Sequence, residues 1–197
     1  MLSDHTEGTA PGRPTPFAHV ADNDLAVGKL VEHISQSPIW ENSVIFIVED
    51  DAQNGPDHVD AHRTTAYLAG GYVKHHYVDH TMYSTSSMLR TIELILGLPP
   101  MTQYDAAATP MWRCFSKTPD KASFASLPSN IDLSEVNPKG TKLAALSKGL
   151  NLSEIDRAPD ELLNAMIWKA VKGEHAEVPA PVRAAFVKAG NKAGEDD

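Results

Sequence analysis

Residues 43–62 of the chain read SVIFIVEDDAQNGPDHVDAH. They open on an apolar run, Val44 to Val48, too short for a helix that must bury two faces and dominated by β-branched residues. Such a run predicts a central strand, parallel to its neighbours and covered on both sides. It gives way at once to Glu49, Asp50 and Asp51, then to a turn at Asn54-Gly55-Pro56, then to Asp57, His58, Asp60 and His62. In open α/β sheets ligands sit beyond the carboxyl ends of the strands. Five carboxylates and two imidazoles gathered there, with no lysine among them, would repel one another unpaired. A divalent metal or an arriving cation is the chemistry that answers this. The competing reading is that the acids leave the sheet and cap a turn.

Upstream, residues 1–20 carry Gly8, Pro11, Gly12, Pro14 and Pro16 and read as loop, with Asp4 and His5 in it as site residues or turn formers. A helix is expected from Asp22, capped there or at Asn23, with Leu25, Val27, Leu30, Val31 and Ile34 as its apolar stripe and Pro38 beyond its end. Downstream, Thr64–Ala69 reads as a second short strand, with Gly70-Gly71 as a turn. His75 and His76 are adjacent and point apart in any regular structure, so His80 is the better site candidate. The Ser84–Ser87 cluster starts a helix that stops at Gly97. Its stripe of Met88, Leu89, Ile92, Ile95 and Leu96 is expected to be core, and Glu93 its surface charge. Residues 101–130 read as irregular, with Trp112 and Phe115 pinning them to the core. Helices follow over about 138–149, from Pro159 to Gly173, and after Pro181, where Val182, Ala185 and Phe186 recur.

A chain of 197 residues with net charge −9 lacks the basic face that nucleic-acid phosphates need. Its single cysteine, Cys114, excludes an internal disulfide and a cysteine-rich zinc site. No stretch approaches the ~20 apolar residues of a membrane span. No basic-then-apolar signal peptide precedes Asp4, so the compartment stays open. The acidic loop lacks the alternating ligands of an EF-hand, and no Gly-x-Ser-x-Gly occurs. Mixed carboxylate and imidazole ligands suit Zn, Mn or Fe, whereas an all-oxygen set suits Mg or Ca.

The segments IVEDDAQNGPDHVDAHR and YVDHTMYSTSSMLRTIELILGLPPMTQYDAAA resemble the C-terminal half of the bacterial phosphoesterase family. That family holds phospholipase C-type enzymes and acid phosphatases of the alkaline phosphatase superfamily. Asp50, Asp51, Asp57, His58 and Val59 fall on its strand-end pattern, and Val78-Asp79-His80-Thr81 on a later one. Asp4-His5-Thr6 and the run Val20 to Asp24 match two further segments. Asp51 stands where many members have Glu, which shortens the carboxylate's reach by a methylene, and Gln53-Asn54 stand where they have Gly-Gly.

The resemblance implies an α/β fold, a mostly parallel sheet flanked by helices. Residues 1–130 would form part of that domain and 131–197 a helical extension packed on it. It implies a hydrolase of phosphate esters in which Asp50 and Asp51, with Asp57 and His62, hold a divalent metal ion. His58, His80 and His5 would serve as catalytic groups. The nucleophile of the superfamily lies in an N-terminal half, and the chain's start just before Asp4 reads as following it. A non-catalytic remnant that keeps the fold is the alternative. With strands missing, an exposed sheet edge would let copies associate. Family members are often exported.

Overall fold

The run Val44–Val48 forms strand β1 and pairs with β2, Ala66–Gly70, in a computed structural model that describes residues 6–49, 52, 54–154 and 157–183. The pairing is antiparallel, with Val44 opposite Gly70 and Val48 opposite Ala66. Among the described residues the sheet has these two strands only, which corrects the expected mostly parallel α/β sheet. The reason lies in the connection. A parallel neighbour needs a long crossover, usually a helix. The described part of Glu49–Thr65 is turns, so the chain returns antiparallel along the strand it left. A strand apolar on both faces is thus only half covered: Val44 to Ile47 are part-buried and Val48 is exposed. At the far end of β2, a β-carbon on Gly70 would collide with the carbonyl oxygen of Ser43, so only glycine lets the chains close there.

The chain divides into two units. One comprises 29–48 and 66–126 and holds both strands. It also holds helix α2, Thr85–Leu96, in which Ser84 N donates to Ser87 Oγ at 3.2 Å as half of a capping box. Gly97 ends it in the left-handed conformation, φ 68°. The helix stands where expected, but of its expected core stripe only Met88 is buried. Ser87, Met88, Thr91 and Glu93 are buried, whereas Leu94, Ile95 and Leu96 are exposed. Hydrogen bonds make a polar face tolerable inside. Thr91 Oγ1 donates to Ser87 O at 2.7 Å and accepts from Met111 N at 2.9 Å. Glu93, only 3% exposed and not the expected surface charge, is paired with Arg90 at 3.2 Å.

A short helix, α3 (Gln103–Ala107), follows. Buried Asp105 accepts from Met101 N at 2.6 Å, from Thr102 N at 2.8 Å and from the Thr102 hydroxyl. These donors, the Thr102 hydroxyl foremost, hold its carboxyl far below the usual carboxylate range. The core of the unit is Met88, Met111 and Cys114, with Phe46, Leu68, Tyr83 and Phe115 packed against it. Phe115 is pinned as expected, but Trp112 is 66% exposed.

The other unit comprises described residues of 1–28, 49–65 and 127–197, and the division falls inside helix α1, Pro16–Ser35. That helix starts earlier than Asp22. Thr15 caps it, accepting from Ala18 N at 3.1 Å, and Pro16 supplies the first turn, so part of the expected loop is helical. Buried Asn137 gathers the preceding loop, donating from Nδ2 to the carbonyls of Gly8, Ala10 and Pro14. Helix α4 (Lys142–Ser147) is capped by Thr141, and helix α5 (Asp160–Lys172) buries Leu163 and Met166 and gives way to Gly173. The helix expected after Pro181, with Ala185 and Phe186, falls outside the described residues. Among the described residues no helix is long and apolar enough to cross a membrane.

Candidate functional site

Asp50, Asp51 and His5 lie outside the described residues. The rest of the acidic loop belongs to the unit that holds α4 and α5. Here each aspartate has a local task. Asp57 Oδ1 accepts from Val59 N at 2.7 Å and Asp60 N at 3.1 Å, closing a turn. Its Oδ2 accepts from Arg63 Nε at 2.7 Å. The Arg63 guanidinium, ahead of the backbone donors, holds the Asp57 carboxyl below its ordinary value. Asp60 Oδ1 meets both His62 N and His62 Nδ1 at 2.9 Å, and the His62 N–H leads in lowering the Asp60 carboxyl.

The same loop is tied to the chain beyond α5. Val182 N donates to Asp57 O at 2.9 Å and Ala61 N to Val182 O at 2.6 Å. Arg183 reaches Asn54 Oδ1 and Glu161 Oε1, both at 3.3 Å. His58 stands exposed between these anchors.

Of the expected metal ligands, Asp57 and His62 are described and Asp50 and Asp51 are not. Both Asp57 oxygens and His62 Nδ1 already have partners on the protein. Among the described residues no three of His, Cys, Asp and Glu converge to hold one. A cation that answers one of these carboxylates, Asp57, is Arg63, one residue past His62. An Asp six positions before an Arg was the available signal.

His80 falls in the other unit, exposed on the turn Asp79–Tyr83. Its neighbour Asp79 faces inward. Oδ1 accepts from Thr81 N and Oδ2 from the Tyr83 hydroxyl, each at 2.9 Å, with the Cys114 thiol 3.8 Å from Oδ2. Thr81, through its backbone N–H first, lowers the Asp79 carboxyl to about 2. Burial pushes the Cys114 thiol and the Tyr83 phenol up. Arg113 Nη1 donates to Thr81 Oγ1 at 3.5 Å. Thr81 lies on the run Val78–Thr81 that carries the resemblance, but Arg113 carried no expectation from sequence, because nothing local distinguishes an arginine with a carboxylate partner from one without.

A family model described as the phosphoesterase family matches residues 14–99, which takes in α1, both strands and α2. The match supports membership at the level of the family. A comparison with curated proteins found no match.

Proposed function

We propose that this chain is a phosphoesterase-family hydrolase that cleaves phosphate ester bonds. The family match over residues 14–99 carries the reading, because it takes in the acidic loop and every candidate residue but His5. In this reading Asp57, Arg63 and the Val182 backbone build a rigid loop that presents His58 to solvent. An exposed imidazole so presented can move a proton to the leaving alcohol or from an attacking water, an effect worth roughly 10²–10⁴-fold in rate. His80 is a second such group on its own unit. If a divalent ion takes part, Asp50 and Asp51 are the first carboxylates to hold it, since Asp57 and Asp60 bond within the loop.

The test is hydrolysis of a panel of phosphate mono- and diesters by the full chain, with and without added Zn, Mn, Fe, Mg or Ca. Turnover that falls about 100-fold or more in His58→Ala, with the fold intact, is the expected result. Elemental analysis of the parent and of an Asp50→Asn/Asp51→Asn variant reads the metal directly. No turnover of any ester under any of these conditions would sink the hydrolase reading. The engagement of Asp57, Asp60 and His62 would then favour a non-catalytic domain of the same family.

A further inference from the structure

The chain has six arginines, and five lie against a carboxylate: Arg13 on Glu7, Arg63 on Asp57, Arg90 on Glu93, Arg157 on Glu154 and Arg183 on Glu161. Arg113 has none among the described residues, in a protein whose acids outnumber its Lys and Arg by 26 to 17. Its guanidinium sits instead 5.4 Å from the centre of the Trp112 ring and touches the Thr81 hydroxyl. Asp79, the nearby acid, is turned away toward Thr81 N and Tyr83.

The position of Arg113 is well held. It lies in a single 3-10 turn, Trp112–Cys114, whose last residue is buried. Cys114 O accepts from Lys74 N at 2.9 Å beside an antiparallel bridge of Val73 with Phe115. Lys74, also without a carboxylate among the described residues, rests its ammonium 4.7 Å from the Tyr77 ring. Trp112 also lines a groove of about 240 Å³ with Thr91, Leu94, Ile95, Pro110 and Phe115.

We propose that this surface binds a phosphate ester of a small apolar alcohol, with the phosphate on Arg113 and Thr81 and the apolar group in the groove beside Trp112. The guanidinium fork matches two phosphate oxygens, and no carboxylate among the described residues pairs with it. The groove is smaller than the roughly 300–1,000 Å³ of sites for drug-sized ligands, so it suits a short or single-ring group. The choice of a phosphate ester among anions rests on the phosphoesterase reading; the freedom of Arg113 does not.

Calorimetric titration of the full chain tests this with inorganic phosphate and with benzylphosphonate, a non-hydrolysable mimic. Benzylphosphonate is expected to bind about 10-fold tighter than phosphate, a difference of roughly 1.4 kcal/mol. Arg113→Ala weakens both ligands about 10-fold or more, and Trp112→Ala removes only the benzyl advantage. Both side chains are exposed, so the variants keep the fold, which thermal melting verifies. Equal affinities in the parent and Arg113→Ala would overturn the proposal, as would no saturable binding of either ligand up to about 10 mM. Binding that follows this pattern without hydrolysis of any ester leaves the site standing and removes the enzyme reading. Hydrolysis of an ester with equal phosphonate affinities in the parent and Arg113→Ala does the reverse.

Discussion

The acidic loop around Asp57 and the turn around Asp79 use the same local device to opposite effect. Both aspartates accept backbone N–H groups two residues ahead, and both lie near an arginine. In the loop Arg63 closes on the carboxylate, and the charge of each is cancelled in place. In the turn Asp79 gives its second oxygen to the Tyr83 phenol, and exposed Arg113 meets the Thr81 hydroxyl and the Trp112 ring rather than a described carboxylate. A dense run of acids therefore ends as an internally satisfied scaffold, whereas a stretch of no special composition exposes an uncommitted cation. Charge density along a chain measures what must be neutralised; it does not say which charge stays free.

Four measurements would break or sharpen that contrast. The turn at Arg113 stands on the apolar core of its unit, so Met88→Ala should cost the most, about 3 kcal/mol in urea unfolding. The loop depends instead on hydrogen bonds. Asp57→Ala strands two backbone donors and Arg63 and should cost about 2 kcal/mol. A cost under about 0.5 kcal/mol would mean that the loop is held by its other bonds, to Val182 and Arg183.

Acid should reach both regions. The carboxyls of Asp57 and Asp79 are lower in the folded state than their ordinary value of 3.8, so their contribution is complete above that value. It should be lost as pH falls from about 4 toward the Asp79 value of about 2, seen as a falling thermal midpoint. Asp79→Asn should flatten part of that fall, and an unchanged acid limb would mean that Asp79 does not hold its turn. The smallest effect belongs to His58→Ala. An exposed side chain outside these bonds should move unfolding by no more than about 0.5 kcal/mol, even if activity collapses.

Local signals were legible wherever one residue decides the outcome. The apolar run at Val44–Val48, the serines before α2 and Gly97 after it placed their elements correctly. Thr15-Pro16 carried an equally plain helix start, but the surrounding prolines and glycines drew it into an expected loop. The strand direction was not legible, since a continuous apolar run fits a parallel centre and a half-covered antiparallel pair alike. Nor was the inner face of α2. Thr91 and Glu93 can lie inside only because Met111 N and Arg90 meet them there.

The sequence by itself determined the strand at Val44–Val48, the turn chemistry at Asn54–Pro56 and the helix bounds from Ser84 to Gly97, because each follows from the backbone preferences of a few neighbouring residues. Tertiary structure alone decided which carboxylates keep their charge to themselves and which guanidinium does not. That outcome rests on distances of about 3 Å set by how distant segments meet, and a salt bridge fails over a displacement that no local pattern records.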